Sequence, residues 1–360
     1  MRVLIVDTCY PAFVQAHYAS RPGLRRAPYD EQWRALMDTF FGTADSYSHY
    51  LGLLGHDAHE VVANCGPLQH AWASEHSVRR GFRLRRRPSE EIVVRQAEWF
   101  EPDVAYVQNL SYLSDSTLDR LKDISGFVAG QIASEAPSAE RLRKFDLLLT
   151  SFPHFVDRFR ELGVASEYLR IGFDERVLGR LEETERDRYG AVFVGKLNRT
   201  QHGRGNALLE QAAQRVPIDF WGYNLTGWSS SSAIRKRYRG EAWGIEMFEV
   251  LHGAKIALNR HIDVAEGHAN NMRLYEATGV GAMLLTDEGS NLHELFEAGR
   301  EVETYGGEDE LVEKVRHYLA HDEECRAIAS RGQARTLRDH GYRSRMEDLA
   351  GFLERHRAAA

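Results

Sequence analysis

The residues best suited to chemistry lie in the second half of the chain, in two loops that follow or precede apolar runs. The first loop follows the apolar run 191–194 and contains Gly195, Lys196 and Arg199, with Arg204 ahead of a helical pattern. Glycine lets a ligand approach the backbone closely, and lysine and arginine neutralise phosphate charge. The loop therefore predicts a diphosphate-binding site, with a plain strand-to-helix connection as the alternative interpretation.

The second loop opens the helical pattern 272–278 and carries Asn270, Asn271, Arg273 and Glu276. An asparagine ahead of a helix caps it, and the free N–H groups at a helix start attract phosphate. Arg273 adds a fork of hydrogen-bond donors, and the Glu276 carboxylate suits the two hydroxyls of a ribose. The alternative is an Arg273–Glu276 surface pair at i,i+3, which contributes only about 0.2–0.5 kcal/mol.

Two further groups follow strand patterns in the same half of the chain. Tyr223 and Asn224 come after the run 218–221 and are candidates for contact with a base or a diphosphate. His261 closes the run 256–259 and is expected at the same sheet edge, where ligands of open α/β sheets bind. An ordinary core position for the aromatic residues is an equally open interpretation.

The elements that must position these side chains follow an alternation of strands and helices. Helical patterns, such as 31–54 and 90–100 in the first half, separate the short apolar runs. This alternation predicts parallel sheets with helical crossovers. The predicted strands are 2–6, 60–63, 104–107, 127–132 and 147–150 in the first half, and 191–194, 218–221, 256–259, 282–286 and 301–304 in the second.

The chain is expected to contain two Rossmann-like domains. An N-terminal domain is predicted over 1–172 and a C-terminal domain over 191–342, because the alternation lapses between them in a charged segment, 173–190. Within that segment, the charge run 182–188 is predicted to be an exposed connector, with a solvated helix end as the alternative interpretation. Residues 343–360 predict a final helix whose stripe of Met346, Leu349, Phe352 and Leu353 packs either on the second domain or back on the first.

The composition of the chain excludes several classes of function and structure. A net charge of −7 over 360 residues argues against general nucleic-acid binding, and no apolar run reaches the ~18 residues of a membrane span. Three distant cysteines at 9, 65 and 325 argue against a disulfide framework, so we expect a reduced, cytoplasmic protein. The arginine cluster between Arg79 and Arg87 predicts either a solvated loop or a patch for an acidic acceptor or a membrane surface.

Several familiar site motifs are missing from the sequence. The chain has no G-x-x-x-x-G-K-[ST] segment, and its first strand does not lead into G-x-G-x-x-G. It also lacks a D-x-D pair to hold a metal-bound nucleotide sugar. We therefore expect no metal and no bound cofactor, with cations neutralising any diphosphate.

The loop at Gly195 and the stretch from Asn271 through Arg273 and Glu276 to Gly279 resemble glycosyltransferases of the GT-B architecture. The similarity is greatest to the spore-maturation-protein (CgeB-like) group, whose C-terminal region has a similar N-x-R-x-x-E-A motif. The resemblance is strong over residues 145–350 and weaker over residues 1–144. It implies an α/β fold of two Rossmann-like domains and transfer of a sugar from a nucleotide-diphosphate sugar held mainly by the second domain.

The resemblance also implies roles for individual residues. Retaining enzymes of this architecture often carry two glutamates eight positions apart; here His268 stands eight positions before Glu276, and Glu266 stands ten before. Glu266 and Arg273 are therefore the catalytic candidates, and inversion and retention both stay open. The acceptor, a glycan, a protein or a small molecule, is expected to meet the loops of the first domain, where the candidates are Tyr10, Asn109, Gln131, Glu135 and His154.

No single general base follows from these residues, although His154 is one candidate. Two alternatives to sugar transfer remain at this point. A nucleotide-sugar epimerase shares the two-domain architecture, and a non-catalytic sugar-nucleotide-binding partner would need only the donor site. Release of free nucleotide with and without acceptor separates the three.

Overall fold

A computed structural model of the chain describes residues 1–78, 88–181, 183–198 and 203–359. The chain folds into two compact units, each built on a six-stranded parallel sheet, which confirms the predicted α/β class. The first unit comprises Met1–Arg170 together with the chain from Tyr342 onward, and the second comprises Ile171–Gly341. The arginine cluster from Arg79 to Arg87 lies outside the described residues.

The sheet of the first unit has the strand order β2-β1-β3-β4-β5-β6, with every neighbouring pair parallel. The central strands are buried on both faces, as their unbroken apolar sequences require. In chain order the elements are β1 (Arg2–Asp7), α1 (Pro11–Ala19), α2 (Tyr29–Met37), α3 (Ser46–Leu53), β2 (Asp57–Val62), α4 (Gly66–Glu75), α5 (Pro88–Phe100), β3 (Val104–Val107), α6 (Asp115–Ser125), β4 (Val128–Gln131), α7 (Ala139–Leu142), β5 (Leu147–Thr150), α8 (Pro153–Glu161) and β6 (Ala165–Tyr168).

Two predictions for the first unit differ from the structure. The long helix predicted over 31–54 is instead two helices, α2 and α3, because Phe40, Gly42 and Ala44 between them have positive φ angles that no α-helix contains. Strand β6 was not predicted, since its sequence has serine and glutamate at its two central positions and gives no apolar run.

The sheet of the second unit has the order β12-β11-β10-β7-β8-β9 and is also parallel. All five predicted strands of this half appear, and β9 is an additional short strand at one edge. In chain order the elements are β7 (Tyr189–Val194), α9 (Gly203–Arg215), β8 (Ile218–Trp221), α10 (Ala233–Lys236), β9 (Tyr238–Gly240), α11 (Ile245–His252), β10 (Ala254–Leu258), α12 (Met272–Gly279), β11 (Met283–Asp287), α13 (Leu292–Leu295), β12 (Glu303–Tyr305), α14 (Glu308–Ala320) and α15 (Asp322–Asp339).

The charge run 182–188 is largely exposed where the structure describes it, as its charges predicted, but the part of segment 173–190 that precedes it is not. Phe173, Val177 and Leu181 are buried, and Glu175–Arg180 forms a 3-10 helix that packs against α11. The Phe173 N–H donates to the carbonyl of His340 over 2.8 Å, so the segment is anchored within the second unit. Its apolar residues were too widely spaced to show a helical or strand period, which is why the charged residues dominated the pattern.

The final helix, α16 (Tyr342–Ala359), belongs to the first unit. Met346, Leu349 and Leu353 are fully buried in the same core as Val3 and Ile5 of β1. Phe352, the fourth residue of the predicted stripe, is only partly buried at the edge of that core. Among the helices that the structure describes, none is both long and apolar enough to span a bilayer.

A buried carboxyl on β2 makes the stability of the first unit depend on pH. Glu60 is 2% exposed, and burial raises its pKa from 4.5 to about 8, although its Oε1 accepts a hydrogen bond from the Ser48 N–H. The folded state therefore favours the protonated form. The stabilisation is complete below the unfolded pKa near 4.5 and is lost as the pH rises towards 8.

We expect Glu60→Gln to be more stable than the wild type at pH 8, by on the order of 3 kcal/mol, and to match it at pH 4.5. Urea unfolding at both pH values measures this difference. Glu101→Gln, at a carboxylate that is 81% exposed, is the control and should follow the wild-type curve. Parallel pH curves for the wild type and Glu60→Gln would contradict the burial argument.

Candidate active site

The predicted donor residues of the second unit gather at one edge of its sheet. Strands β7, β8 and β10 end at Val194, Trp221 and Leu258. Gly195, Tyr223 and His261 follow these ends directly or within three residues. Because all strands are parallel, the loops after them share the carboxyl edge, where open α/β sheets bind ligands.

The loops after β7 and β8 pack backbone against backbone. The Gly195 N–H donates to the Trp221 carbonyl over 3.0 Å, and the Leu197 N–H donates to the Tyr223 carbonyl over 3.1 Å. Gly222 has a φ of +155°, and a Cβ atom on it would lie 1.8 Å from the Gly195 carbonyl oxygen. Only glycine fits at position 222, and this close packing fixes the loop that carries Lys196.

Lys196 lies over an aromatic pair. Its Nζ is 5.9 Å from the centroid of the Tyr223 ring, and that ring is 5.1 Å from the ring of Trp243. Asn224 is exposed in a left-handed turn with a φ of +64°. Arg199 lies outside the described residues, as does the side chain of Arg204.

The two asparagines before α12 have different surroundings. The Asn271 side chain caps the helix by accepting a hydrogen bond from the Leu274 N–H over 3.3 Å. Its Nδ2 also donates to Asn259 Oδ1 and to the Arg260 carbonyl. Asn270 is buried and accepts a hydrogen bond from the Tyr275 hydroxyl. Both residues therefore hold the helix start in place.

Arg273 and Glu276 form an ion pair of 2.8 Å between Nη1 and Oε2. The pair is not on the surface, because the two side chains are 14% and 9% exposed. Burial raises the pKa of Glu276, and the charge of Arg273 opposes that rise. Arg273 Nη2 also donates to the Val194 carbonyl over 3.1 Å, which ties α12 to the end of β7. The diphosphate and ribose roles of the two residues stay predictions.

Glu266 ends the short 3-10 helix Asp263–Ala265 in a left-handed conformation, with a φ of +49°. Its side chain is exposed, while His268 is half-buried, with Nδ1 3.0 Å from the Ala265 carbonyl oxygen. The structure thus places Glu266 on the loop that leads into α12. Its predicted contact with the donor sugar stays a prediction.

Arg260, which the sequence pattern places with Asn259 and His261 in the segment that closes a strand and is expected to line the ligand cleft, lies half-buried after the end of β10. Its Nη2 donates to Asn206 Oδ1 over 2.9 Å and to the Lys196 carbonyl over 3.3 Å. Burial lowers its pKa, and no carboxylate in the described part of the chain forms an ion pair with it. A half-buried cation of this kind favours an anionic ligand nearby. Its only sequence signal was its position at a predicted strand end.

His261 is held by Asp287 at the end of β11. Its Nδ1 lies 2.7 Å from Asp287 Oδ1, and the His261 backbone N–H donates to the same carboxylate. Directly after Asp287 the chain lines a cavity of about 810 Å³ with Glu288, Gly289 and Ser290. Gly267, on the loop before α12, contributes to the same cavity.

The acceptor candidates of the first unit have varied surroundings. At the ends of β3 and β4, Asn109 donates to Thr8 Oγ1 over 2.8 Å, and Gln131 Oε1 accepts from the hydroxyls of Tyr47 and Tyr106. Of the remaining three candidates, Tyr10 after β1 and Glu135 in the loop after β4 are exposed. His154 is half-buried in the first turn of α8, beside the Phe152 ring.

Sequence reasoning missed Asp7, the last residue of β1. Burial raises its pKa to about 6, although its Oδ1 accepts a hydrogen bond from the Thr8 N–H over 2.7 Å. A carboxylate with a pKa near neutrality at a strand end is a candidate acid or base. Its position directly at the end of the first strand was the available signal. Within the described ranges, no three His, Cys, Asp or Glu side chains form a group that could hold a metal ion.

Comparisons with known proteins agree with this arrangement. Residues 199–351 match the model of a family described as glycosyl transferase-like. Curated protein sequences give no significant match. Among solved structures, Anabaena HepE in complex with UDP-glucose is 14% identical, with a TM-score of 0.60 over 98% of this chain and 99% of that one.

Two other solved structures are similar over their full length. Sucrose-phosphate synthase from Thermosynechococcus elongatus is 11% identical, with a TM-score of 0.61 over 100% of both chains. A glycosyltransferase from Rickettsia africae is 9% identical, with a TM-score of 0.61 over 99% of this chain and 98% of that one. At these identities the similarity supports the fold, and it confirms the predicted GT-B architecture.

Proposed function

We propose that the chain is a glycosyltransferase that transfers a sugar from a nucleotide-diphosphate sugar to a hydroxylated acceptor, on the strength of its glycosyl transferase-like region over 199–351 and its GT-B fold. The family match favours neither an epimerase nor a non-catalytic binding partner. We further propose that the chain belongs to the CgeB-like group, on the strength of its Asn271-x-Arg273-x-x-Glu276-Ala277 stretch.

One observation carries the proposal: cations from three separate elements meet the carboxyl edge of the second sheet. Lys196 follows β7, Arg260 follows β10, and Arg273 lies in the first turn of α12, where it also reaches the end of β7. The N–H groups at the start of α12 add partial positive charge. A diphosphate is the group of a nucleotide sugar that such an edge would bind.

Transfer breaks the bond between the anomeric carbon and the diphosphate oxygen, and negative charge builds on the leaving diphosphate. Preorganised cations stabilise that charge in the transition state. We assign this task to Lys196 and Arg273, together with Arg199 and Arg204, which follow Lys196 in the chain. The acceptor oxygen then bonds to the anomeric carbon, and its proton passes to the oxygen of the leaving diphosphate.

Arg273 has a second function in this scheme. It pairs with the Glu276 carboxyl group in its buried position, and the carboxyl oxygens can accept hydrogen bonds from the ribose hydroxyls. The proposal includes retention of configuration, with Glu266 beside the sugar on the loop before α12. It also includes metal independence, supported by the three cations and by the lack of a D-x-D pair.

The donor is tested by calorimetry with UDP, UDP-glucose and the corresponding adenine and guanine nucleotides. UDP-glucose is the first choice, since the similar HepE structure contains it. We expect one nucleotide sugar to bind with micromolar affinity and to be turned over when acceptor extracts are added. The same turnover should persist in EDTA. Failure of every nucleotide and nucleotide sugar to bind would overturn the proposal.

Glu276→Gln serves as the site variant in this experiment and should weaken binding by about 1–3 kcal/mol, or 5- to 150-fold. Glu313→Gln is its matched control, on helix α14 of the same unit and outside the site. Equal affinity of the Glu276 variant and the wild type would remove the ribose assignment.

A further inference from the structure

His261 and Asp287 lie at the carboxyl ends of the neighbouring strands β10 and β11 and form a hydrogen-bonded pair. The pair uses only one of the two ring nitrogens of the histidine. The Asp287 carboxylate receives His261 Nδ1 at 2.7 Å and the His261 backbone N–H at 2.9 and 3.0 Å. A carboxylate only accepts hydrogen bonds, so Nδ1 carries the proton. The other ring nitrogen, Nε2, then presents a lone pair.

That second nitrogen has no hydrogen-bond partner among the residues that the structure describes. The His261 side chain is only 8% exposed, and Nε2 is buried without a hydrogen bond to any residue that the structure describes. A buried polar atom left unpaired costs about as much as a lost hydrogen bond. The pair therefore presents an acceptor that is suited to a hydroxyl group from outside the described residues.

A chain of hydrogen bonds fixes the direction of this acceptor. Asp287 Oδ1 accepts from Thr286 Oγ1 over 3.2 Å, and Thr286 Oγ1 accepts from Asn259 Nδ2 over 3.0 Å. Asn259 Oδ1 in turn accepts from Asn271 Nδ2 over 3.0 Å, and Asn271 caps α12. The imidazole orientation is thus tied to the start of the helix that carries the proposed donor-binding residues.

We propose that Asp287 is a positioning residue that orients His261, and that His261 Nε2 accepts a hydrogen bond from a hydroxyl of the transferred sugar. This inference rests on the proposed function. Glu276 is assigned to the ribose and the cations to the diphosphate, so the sugar supplies the remaining hydroxyls. Glu288, the next residue after Asp287 in the chain, lines the cavity of about 810 Å³ together with Gly267 from the loop before α12.

The first measurement is the tautomer of His261, read from long-range ¹H–¹⁵N spectra of protein with labelled histidine. His261→Gln assigns the signal. In the wild type we expect a protonated Nδ1 and an unprotonated Nε2. In Asp287→Asn the two tautomers should mix, because an amide can donate as well as accept. An unchanged tautomer in Asp287→Asn would overturn the positioning role.

The second measurement compares the affinities for UDP and UDP-glucose, or for the matching pair of whichever nucleotide binds. We expect Asp287→Asn and His261→Ala to lower the sugar-dependent gain in affinity about 3- to 10-fold, with the UDP affinity unchanged within twofold. An equal loss for both ligands would overturn the sugar contact. Absence of binding by the wild type would instead overturn the proposed function.

His252→Gln is the matched control, since His252 is a half-buried histidine of the same unit held through Nδ1 by the Val280 carbonyl. It should leave both affinities unchanged. If Asp287→Asn fails to fold, the wild-type spectrum decides: the Nε2 signal should shift on addition of UDP-glucose and stay in place with UDP. An Nε2 signal that does not shift when UDP-glucose is added would overturn the inference.

Discussion

Removing residues 342–360 is expected to unfold the first unit while the second unit keeps its fold. Helix α16 supplies Met346, Leu349 and Leu353 to the core around β1, and all three side chains are fully buried. Truncating one such side chain to alanine costs about 2–5 kcal/mol. Loss of the whole helix therefore approaches or exceeds the 5–15 kcal/mol that stabilises a typical domain.

The measurement is limited proteolysis combined with calorimetry on the full-length and shortened chains. We expect one thermal transition to disappear and cleavage to spread through residues 1–170. Nucleotide binding should largely persist, because Lys196, Arg273 and Glu276 belong to the second unit. Sugar transfer should be lost, since the acceptor candidates belong to the first unit.

Single variants of the same helix provide the controls. Leu349→Ala should lower the melting temperature of the first unit strongly, whereas Glu354→Ala, at an exposed position of α16, should not. A shortened chain that is stable and transfers sugar at the full rate would contradict the packing described for α16.

Arg273→Ala is expected to lower turnover about 10²- to 10³-fold, the usual effect of removing one preorganised donor from a developing negative charge. The loss should be larger in kcat than in the affinity for the nucleotide, because the charge on the diphosphate grows during transfer. Steady-state kinetics with the identified donor measures both quantities.

Arg273→Ala also leaves Glu276 buried without its partner, so stability must be measured separately. The double variant Arg273→Ala, Glu276→Gln removes the unpaired charge and should recover stability without recovering turnover. Arg273→Lys keeps the charge but lacks the fork of donors, and should fall between wild type and alanine.

Arg300→Ala is the matched control, because Arg300 pairs with Glu297 at the same i,i+3 spacing but on the exposed surface. Such a pair contributes little, and the variant should behave as wild type. Turnover by Arg273→Ala at the wild-type rate would remove the residue from the proposed mechanism.

How far the sequence could predict this fold depends on the kind of segment. Strands such as β3 and β5 are covered on both faces, so nearly all of their residues are apolar. Such a continuous apolar run is easy to recognise as a strand in the sequence. Strand β6 carries polar residues in its centre, and segment 173–190 buries only widely spaced residues. Neither segment shows the regular spacing of apolar residues that marks a helix or a strand, so neither could be predicted from the sequence pattern alone.

The candidate site was predictable where a loop carried several suitable residues together. Asn271, Arg273 and Glu276 share one short stretch, and the structure places them at one helix start. Arg260 and Asp287 received no individual role because each contacts residues from other elements of the fold. The partners Asn206 and His261 stand more than 20 positions away, and a single sequence does not show which strand ends meet.

The place of α16 in the first unit has a consequence for synthesis on the ribosome. Residues 1–170 emerge before the second unit, yet Ile5 and Tyr106 share their core with Met346, a residue made after the whole second unit. The second unit has its entire sequence available once Gly341 has left the exit tunnel, before the first can be completed. The usual N-to-C order of domain completion is thus reversed, and the apolar face of the first sheet that α16 covers stays open to chaperones until α16 has emerged.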